Sequence, residues 1–160
     1  MGDLINIKFP DGKSKKIEKG LNGFDIAKQI SISLSKAAIA FKVNGKILDL
    51  SRTIEEDSEI QILTKENNEA LDIIRHDCAH VMAEAVQSLY PGTQVTIGPS
   101  IENGFYYDFA RKEPFTVSDL PKIEKKMHEI INKGEKFTRE VWSRDEAINF
   151  FKSKGEEYKV

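Results

Sequence analysis

The 160-residue sequence has one cysteine, no long apolar run and almost no net charge, and each of these absences excludes a class of protein. Cys78 cannot form an internal disulfide, and its place among apolar residues predicts a buried thiol in a reducing compartment. Because no apolar run approaches about 18 residues and no charged leader precedes one, we expect a cytoplasmic protein without membrane contact. The net charge of −2 disfavours nucleic-acid binding by overall attraction and leaves only local basic patches for it.

The length allows one ordinary domain or two small ones, and the pattern along the chain favours two small domains of α+β class. Hydrophobic residues make up 39% of the chain and charged residues 31%, which suits a modest core beneath a polar surface. Residues 1–64 are the first predicted domain, and residues 65–69 are a polar linker without periodicity. Residues 70–160 are the second predicted domain.

The first domain is predicted to be a compact β-grasp-like sheet crossed by one helix. Turn signals at Pro10–Gly12 and Asn44–Gly45 each separate two short strand-like runs, and Asn-Gly predicts a type I′ hairpin. A helical pattern covers Gly23–Ile30, and Ile60–Leu63 supplies the last strand. Four lysines at the second strand predict a solvated edge strand, with phosphate contact as the alternative: Lys13, Lys15, Lys16 and Lys19.

The second domain begins with a helical pattern from about Asn68 to Leu89 that carries two histidines. At about 100° per residue, His76 and His80 lie one turn apart and opposite the apolar stripe. Two imidazoles so placed can converge on one water, one metal or one substrate group, whereas an ordinary solvated face is the alternative. The apolar stripe consists of Ile74, Cys78, Val81, Met82, Ala85 and Leu89.

The sequence supplies too few ligands for a metal site around this histidine pair. A closed zinc site requires four ligands and a catalytic one usually three, and the pair offers two. The metalloprotease motif needs glutamate directly after the first histidine, but Asp77 occupies that position and no third ligand follows at a fitting distance. We therefore predict no metal in this chain, with His76 and His80 only as weak candidate ligands.

Short strands and helices alternate in the rest of the second domain. Strands are predicted over Gln94–Ile97 and Gly104–Phe109, and the alternating aromatics of the latter favour core packing, with a tyrosine at a pocket rim as the alternative. The predicted C-terminal elements are a helix from Ser118 to Lys133 with Leu120, Ile123, Met127, Ile130 and Ile131 facing inward, a strand over Phe137–Trp142, a capped helix from Ser143, and a new strand opening at Tyr158–Val160.

The order of the motifs reveals a family resemblance that covers essentially the whole chain. The chain resembles the bacterial threonyl-tRNA synthetases, and its first 64 residues, with Val43–Gly45, resemble that family's TGS domain. One motif alone would be weak, whereas five in order after such a domain are specific. They are Ile74–His80, Ile97–Pro99, Asn103–Asp108, Lys126–Glu129 and Gly155–Val160.

The resemblance implies that the chain belongs to the editing part of a threonine-tRNA ligase, which hydrolyses seryl-tRNA(Thr) charged in error. The implied partner is tRNA(Thr), through its 3′ aminoacylated end. Zinc, ATP and magnesium belong to the parent's core, so no cofactor is expected here, and the parent is expected to form a homodimer through parts absent from this chain. The implied site residues are catalytic His76, His80 and Lys159, and substrate-binding Tyr107, Gly98 and Pro99.

One motif of the family is missing from the sequence. In the family a Cys-x-x-x-His element completes the editing site, but Cys78 lies within the first motif and no histidine follows His128. We therefore expect an N-terminal piece of a longer enzyme, with neither editing nor aminoacylation from this chain alone.

Two other interpretations remain open at the sequence level. In the first, the chain is a non-enzymatic RNA-contacting module and the histidines take no part; its near-neutral charge argues against this. In the second, it is a zinc protein of the alanyl-tRNA-editing kind, which shares the split histidine and cysteine pattern. The TGS-like start and the aromatic strand argue against that alternative.

Overall fold

A computed structural model describes residues 2–136 and 138–160 of the chain. Its contacts group into two units, the first ending at Ile73 and the second beginning at Ile74. Helices and strands are interspersed in both, so the predicted α+β class is confirmed. Within the described ranges, no helix combines the length and the apolar character that a bilayer crossing demands.

The first unit is a five-stranded sheet with two short helices. The strands lie in the order β2-β1-β5-β3-β4, with β1 parallel to β5 and the other neighbours antiparallel. Ile7, Phe41 and Ile60 are fully buried in the core beneath helix α1. The elements are β1 (Leu4–Lys8), β2 (Ser14–Glu18), α1 (Gly23–Ile30), α2 (Ile32–Ala37), β3 (Ala38–Val43), β4 (Lys46–Leu48) and β5 (Ser58–Thr64).

Most sequence predictions for the first unit are confirmed. Asn44 and Gly45 both have positive φ, 50° and 80°, as the type I′ turn between β3 and β4 requires. Strand β2 lies at the edge of the sheet and buries only Ile17, which agrees with a solvated lysine-bearing edge. Helix α2 was not predicted; it begins because the Ser31 hydroxyl accepts a hydrogen bond from the Leu34 N–H at 3.0 Å.

The second unit packs two longer helices around short strand pairs. Ala85, Val86 and Ile123 are its buried centre, and aromatic side chains surround them. Strand β6 pairs with β9, and β7 pairs with β8, both antiparallel. The elements are α3 (Asn68–Leu89), β6 (Gln94–Val95), β7 (Ser100–Ile101), β8 (Gly104–Phe105), β9 (Phe109–Ala110), α4 (Leu120–Lys133) and α5 (Arg144–Ser153), with 3-10 turns at Val117–Asp119 and Glu157–Lys159.

The histidine-bearing helix α3 spans the range that the apolar pattern predicted. Asn68 and Glu69, which were assigned to the linker, are its first residues. The Asn67 carbonyl accepts hydrogen bonds from the N–H groups of Ala70 and Leu71, so the helix starts directly after Asn67. Cys78 is partly buried rather than fully enclosed as predicted.

The aromatic strand is shorter than predicted. Gly104–Phe109 is not one strand, because residues 106–108 separate β8 from β9, and the predicted strand Gln94–Ile97 is reduced to Gln94–Val95. At this break the ring of Tyr107 occupies the space beside Gly98. The Asp108 N–H still donates to the Ile97 carbonyl at 3.0 Å, which keeps the two segments together.

Three predictions for the C-terminal part are wrong. Residues 138–142 form no strand, while Phe137 lies outside the described residues. Tyr158–Val160 does not open a strand, since the Lys159 N–H donates to the Glu156 carbonyl at 3.0 Å in a 3-10 turn. Leu120 and Ile131 were predicted to face inward but are 58% and 55% exposed, because they lie beyond the stripe that packs on α3 around Ile123.

Candidate functional site

The two histidines of α3 contact each other directly. Nε2 of His76 and Nε2 of His80 lie 3.0 Å apart, with the ring planes almost perpendicular at 89°. Both side chains are exposed, as the helical spacing predicted. The predicted convergence of the two imidazoles is therefore confirmed as geometry, and the face they share is open to a ligand.

The histidine face continues along the helix to Gln87. His80 and Gln87 are seven residues apart, which places them within about 20° of each other round the helix and about 10 Å apart along it. Ala83 lies between them and is buried, with 7% exposure. Only the N-terminal part of this face is therefore open.

The side chain of Gln87 joins this face to the C-terminal turn. Its Nε2 donates to the Thr93 carbonyl at 3.2 Å and to Oε1 of Glu156 at 2.7 Å. A further hydrogen bond, from the Glu157 N–H to Oε1 of Gln94 at 3.2 Å, joins the same turn to strand β6. The turn that carries Lys159 is therefore fixed to the end of α3 and to strand β6 through side-chain contacts.

Lys159 lies in this turn beside Glu156. Its Nζ is 3.9 Å from Oε2 of Glu156 and 5.4 Å from the centre of the Phe151 ring. The lysine side chain is 38% exposed and that of the glutamate 16%. The ammonium group is thus partly accessible, and the carboxylate largely enclosed.

Tyr107 contacts the predicted substrate-binding segment around Gly98. A Cβ on Gly98 would lie 2.1 Å from Cδ2 of the Tyr107 ring, so only glycine allows the ring to lie there. The ring also stacks on Phe109, with centroids 4.8 Å apart. Burial, and then the negative charge of Glu156, raise the pKa of the Tyr107 phenol, so this hydroxyl stays protonated at neutral pH. Pro99 is half-buried next to Gly98.

The predicted site residues therefore form two groups in the second unit. Tyr107 and Lys159 both lie near Glu156, whereas His76 and His80 lie on the helix that Gln87 connects to that turn. Sequence analysis assigned no role in the site to Glu156 or Gln87, although Gln87 falls on the histidine side of the helical pattern. The position of Gln87 two turns after His80 is a signal that could have identified it, and Glu156 stands in the same motif as Lys159.

The geometry gives no support for a metal at this site. Among the residues that the structure describes, no group of three or more His, Cys, Asp and Glu side chains is arranged to hold a metal ion. Zinc needs at least three protein ligands in catalytic sites, and the histidine pair supplies two.

Comparison with known proteins places this chain in a family. Residues 5–64 match the TGS domain. Over its full length of 160 residues, the chain is 55% identical to the threonine–tRNA ligase of Chelativorans sp. (strain BNC1) and 58% identical to that of Agrobacterium fabrum (strain C58 / ATCC 33970). The aligned region covers 24% of each relative. A Rickettsia bellii (strain OSU 85-389) threonine–tRNA ligase is 57% identical over 157 residues, which cover 98% of this chain and 25% of the relative.

The chain thus spans about a quarter of the length of the relatives that it matches. The identity extends over both units, so each unit matches the corresponding part of these relatives. With a TGS domain at residues 5–64, the chain matches the N-terminal region of the bacterial threonine–tRNA ligases over its whole length.

Proposed function

We propose that the second unit is the proofreading part of a threonine–tRNA ligase and provides half of a site that hydrolyses seryl-tRNA(Thr). The observation that carries the proposal is the open pair of histidines on α3, whose nitrogens lie 3.0 Å apart on the helix that is joined to the Lys159 turn. The need for such a site is physical. Serine lacks only the methyl group of threonine, which is worth about 1–3 kcal/mol of discrimination, so a second, hydrolytic selection is required.

The hydrogen bond between the histidines assigns complementary roles to them. When both rings are neutral, one Nε2 carries the proton that the other Nε2 accepts, so the two imidazoles are opposite tautomers. The donating ring then has a free lone pair on Nδ1, and the accepting ring has an N–H there. One histidine can accept a proton from water while the other donates a hydrogen bond to the substrate.

The proposed reaction is hydrolysis of the ester between serine and the terminal ribose. A water molecule, losing a proton to the basic imidazole nitrogen, forms a bond from its oxygen to the ester carbonyl carbon. The bond from that carbon to the ribose oxygen then breaks, and the ribose oxygen takes up a proton. The products are free serine and uncharged tRNA(Thr).

The remaining predicted residues have supporting roles in this proposal. The ammonium group of Lys159 would stabilise the negative charge that develops on the carbonyl oxygen. The protonated hydroxyl of Tyr107 is available as a hydrogen-bond donor to the substrate. Gly98 lies against the Tyr107 ring, and Pro99 follows it in the chain as the second proposed substrate-binding residue of this segment.

We further propose that this half-site requires elements beyond the present 160 residues. A cysteine and histidine pair would complete it, and the activation of threonine with ATP, magnesium and zinc would belong to the rest of the parent, which would be a homodimer. The partner of the second unit would be the 3′ aminoacylated end of tRNA(Thr). No step of the proposed hydrolysis passes through a metal.

The decisive experiment compares this chain with a full-length chimera. In the chimera, residues 1–160 replace the matching region of the Chelativorans sp. ligase. Both proteins are mixed with seryl-tRNA(Thr), and release of serine is followed with and without His76→Ala and His80→Ala. His128→Ala is the matched control, because His128 is also exposed but lies on α4.

We expect hydrolysis by the chimera and little or none by the isolated chain. Either alanine change on α3 should reduce the chimera's rate about 100-fold or more, as expected when a general base is lost, and the control should not. If both proteins bind tRNA with a steep salt dependence but neither hydrolyses the ester, the chain is a non-enzymatic RNA-contacting module.

A further inference from the structure

We infer that Glu156 is a positioning residue of the proposed hydrolytic site: anchored by Gln87 of α3, its carboxylate fixes the Lys159 ammonium. This inference rests on the proposed function. It adds a residue that neither the motif analysis nor the geometry of the histidine pair assigns to the site.

The first observation is the anchor. Oε1 of Glu156 accepts a hydrogen bond of 2.7 Å from Nε2 of Gln87, although the two residues are 69 positions apart in the sequence. The same amide group donates to the Thr93 carbonyl at 3.2 Å, so it is held at two points. The carboxylate is therefore fixed to the helix that carries the histidines.

The second observation is an incomplete hydrogen-bond set on the same carboxylate. Among the described residues, Oε2 of Glu156 is one of two buried side-chain atoms without a hydrogen-bond partner. A buried carboxylate oxygen without a partner costs free energy, so such an atom in a native site calls for an explanation. The closest ionic group is Nζ of Lys159 at 3.9 Å, which is within ion-pair range but beyond hydrogen-bond range.

These two observations together define the role. A small movement of the lysine side chain would bring Nζ within hydrogen-bond distance of Oε2 and satisfy both groups. Lysine has four rotatable bonds and loses considerable entropy when it is fixed, so a catalytic lysine on an exposed turn needs a partner that holds it. Glu156 supplies this partner and aligns the ammonium group for the developing oxyanion.

The third observation is the neighbouring tyrosine. The negative charge of Glu156 adds to burial in raising the pKa of the Tyr107 phenol. One carboxylate therefore acts on two proposed site residues, pairing with the ammonium group of Lys159 and favouring the protonated form of Tyr107. The effect on Tyr107 gives the inference a spectroscopic readout that a merely structural residue would not have.

The test uses Glu156→Gln with Glu157→Gln as its matched control. The first change keeps the shape of the side chain and an oxygen for Gln87 but removes the charge. The second removes an equal charge from the next residue, whose side chain is exposed. Gln87→Met is a further variant, which removes the anchor while preserving side-chain volume, and Lys159→Ala reports on the lysine itself.

Two quantities are measured. In the full-length chimera, Glu156→Gln should lower kcat for seryl-tRNA(Thr) hydrolysis about 10- to 100-fold, as expected for a misplaced catalytic group, with KM within about twofold. Gln87→Met should lower kcat in the same direction. In the isolated chain, carbon-13 NMR of labelled tyrosines should show the pKa of Tyr107 falling in Glu156→Gln and unchanged in Glu157→Gln, with Tyr107→Phe assigning the resonance.

The outcomes separate this inference from the proposed function. If Lys159→Ala and His76→Ala abolish hydrolysis but Glu156→Gln changes neither kcat nor the Tyr107 titration, the positioning role is refuted and the hydrolytic site stands. If Lys159→Ala and His76→Ala leave hydrolysis at the wild-type rate, the proposed site fails, and the role of Glu156 fails with it. A loss of kcat in Glu156→Gln together with the lowered pKa of Tyr107 supports the inference.

Discussion

The close contact between Gly98 and Tyr107 gives the sharpest quantitative prediction. In Gly98→Ala, the added carbon would lie 2.1 Å from Cδ2 and 2.4 Å from Cε2 of the Tyr107 ring. Ordinary van der Waals contact begins at 3.4 Å, so the ring must retreat by about 1.3 Å or leave its place. The backbone of Gly98 is not in the left-handed region, so the penalty is purely steric.

The expected cost follows from overpacking and from the loss of ring stacking. Forcing an extra carbon into a packed site costs about 1–3 kcal/mol, and losing the stacking of Tyr107 on Phe109 accounts for about 0.5–1.5 kcal/mol of that. For a domain of this size, each kcal/mol lowers Tm by about 4–8 °C. We therefore expect the second unit to unfold at a clearly lower temperature and lower urea concentration.

The assay is urea unfolding followed by the fluorescence of Trp142, the single tryptophan of the chain, which lies in the second unit. Gly2→Ala is the control, because an added carbon there would have no atom within 4 Å. The double variant Gly98→Ala with Tyr107→Ala should be more stable than the sum of the two single changes predicts. A loss below about 0.5 kcal/mol in Gly98→Ala, or strict additivity in the double variant, would refute the steric argument.

Three further predictions concern the caps and the histidines. The pKa of Asp119 lies far below its usual range, chiefly because its carboxylate accepts a hydrogen bond from the Thr116 N–H. In urea titrations, the wild-type protein should therefore lose stability as the pH falls below about 4. Asp119→Asn should be less stable than wild type at pH 7 but should lose less stability over that acid range. Ser143→Ala removes the N-cap of α5 and should cost about 1 kcal/mol in the same assay; a loss indistinguishable from zero would contradict the capping role. Because His76 and His80 offer only two ligands, calorimetric titration with zinc should show no stoichiometric tight site, and a tight one-to-one complex would restore the zinc-protein alternative.

The sequence predicted the first unit well because its signals are local. Pro10–Gly12 and Asn44–Gly45 fix two hairpins through turn chemistry, and alternating apolar residues set which strand face is buried. Helix α2 was missed because its six residues bury no side chain fully, so it leaves no apolar stripe to detect. The local cap at Ser31 is its main sequence signal.

The second unit was harder to predict because its structure depends on contacts between distant residues. The aromatic run Gly104–Phe109 has the alternation of a single strand, but residues 106–108 separate β8 from β9. An alternating pattern indicates which face of a strand is buried, but it does not indicate where the partner strand ends.

The same distinction explains which site residues could be predicted. His76 and His80 are four residues apart on one helix, so helical geometry alone brings them together. Gln87 and Glu156 are 69 residues apart, and no periodicity relates them. Their contact joins the turn that carries Lys159 to the histidine-bearing helix. A motif can therefore assign a residue to a site, but the group that positions this residue is found only when the fold brings distant segments into hydrogen-bond range. For that reason the charge of Glu156 is the first property of this site to test by mutation.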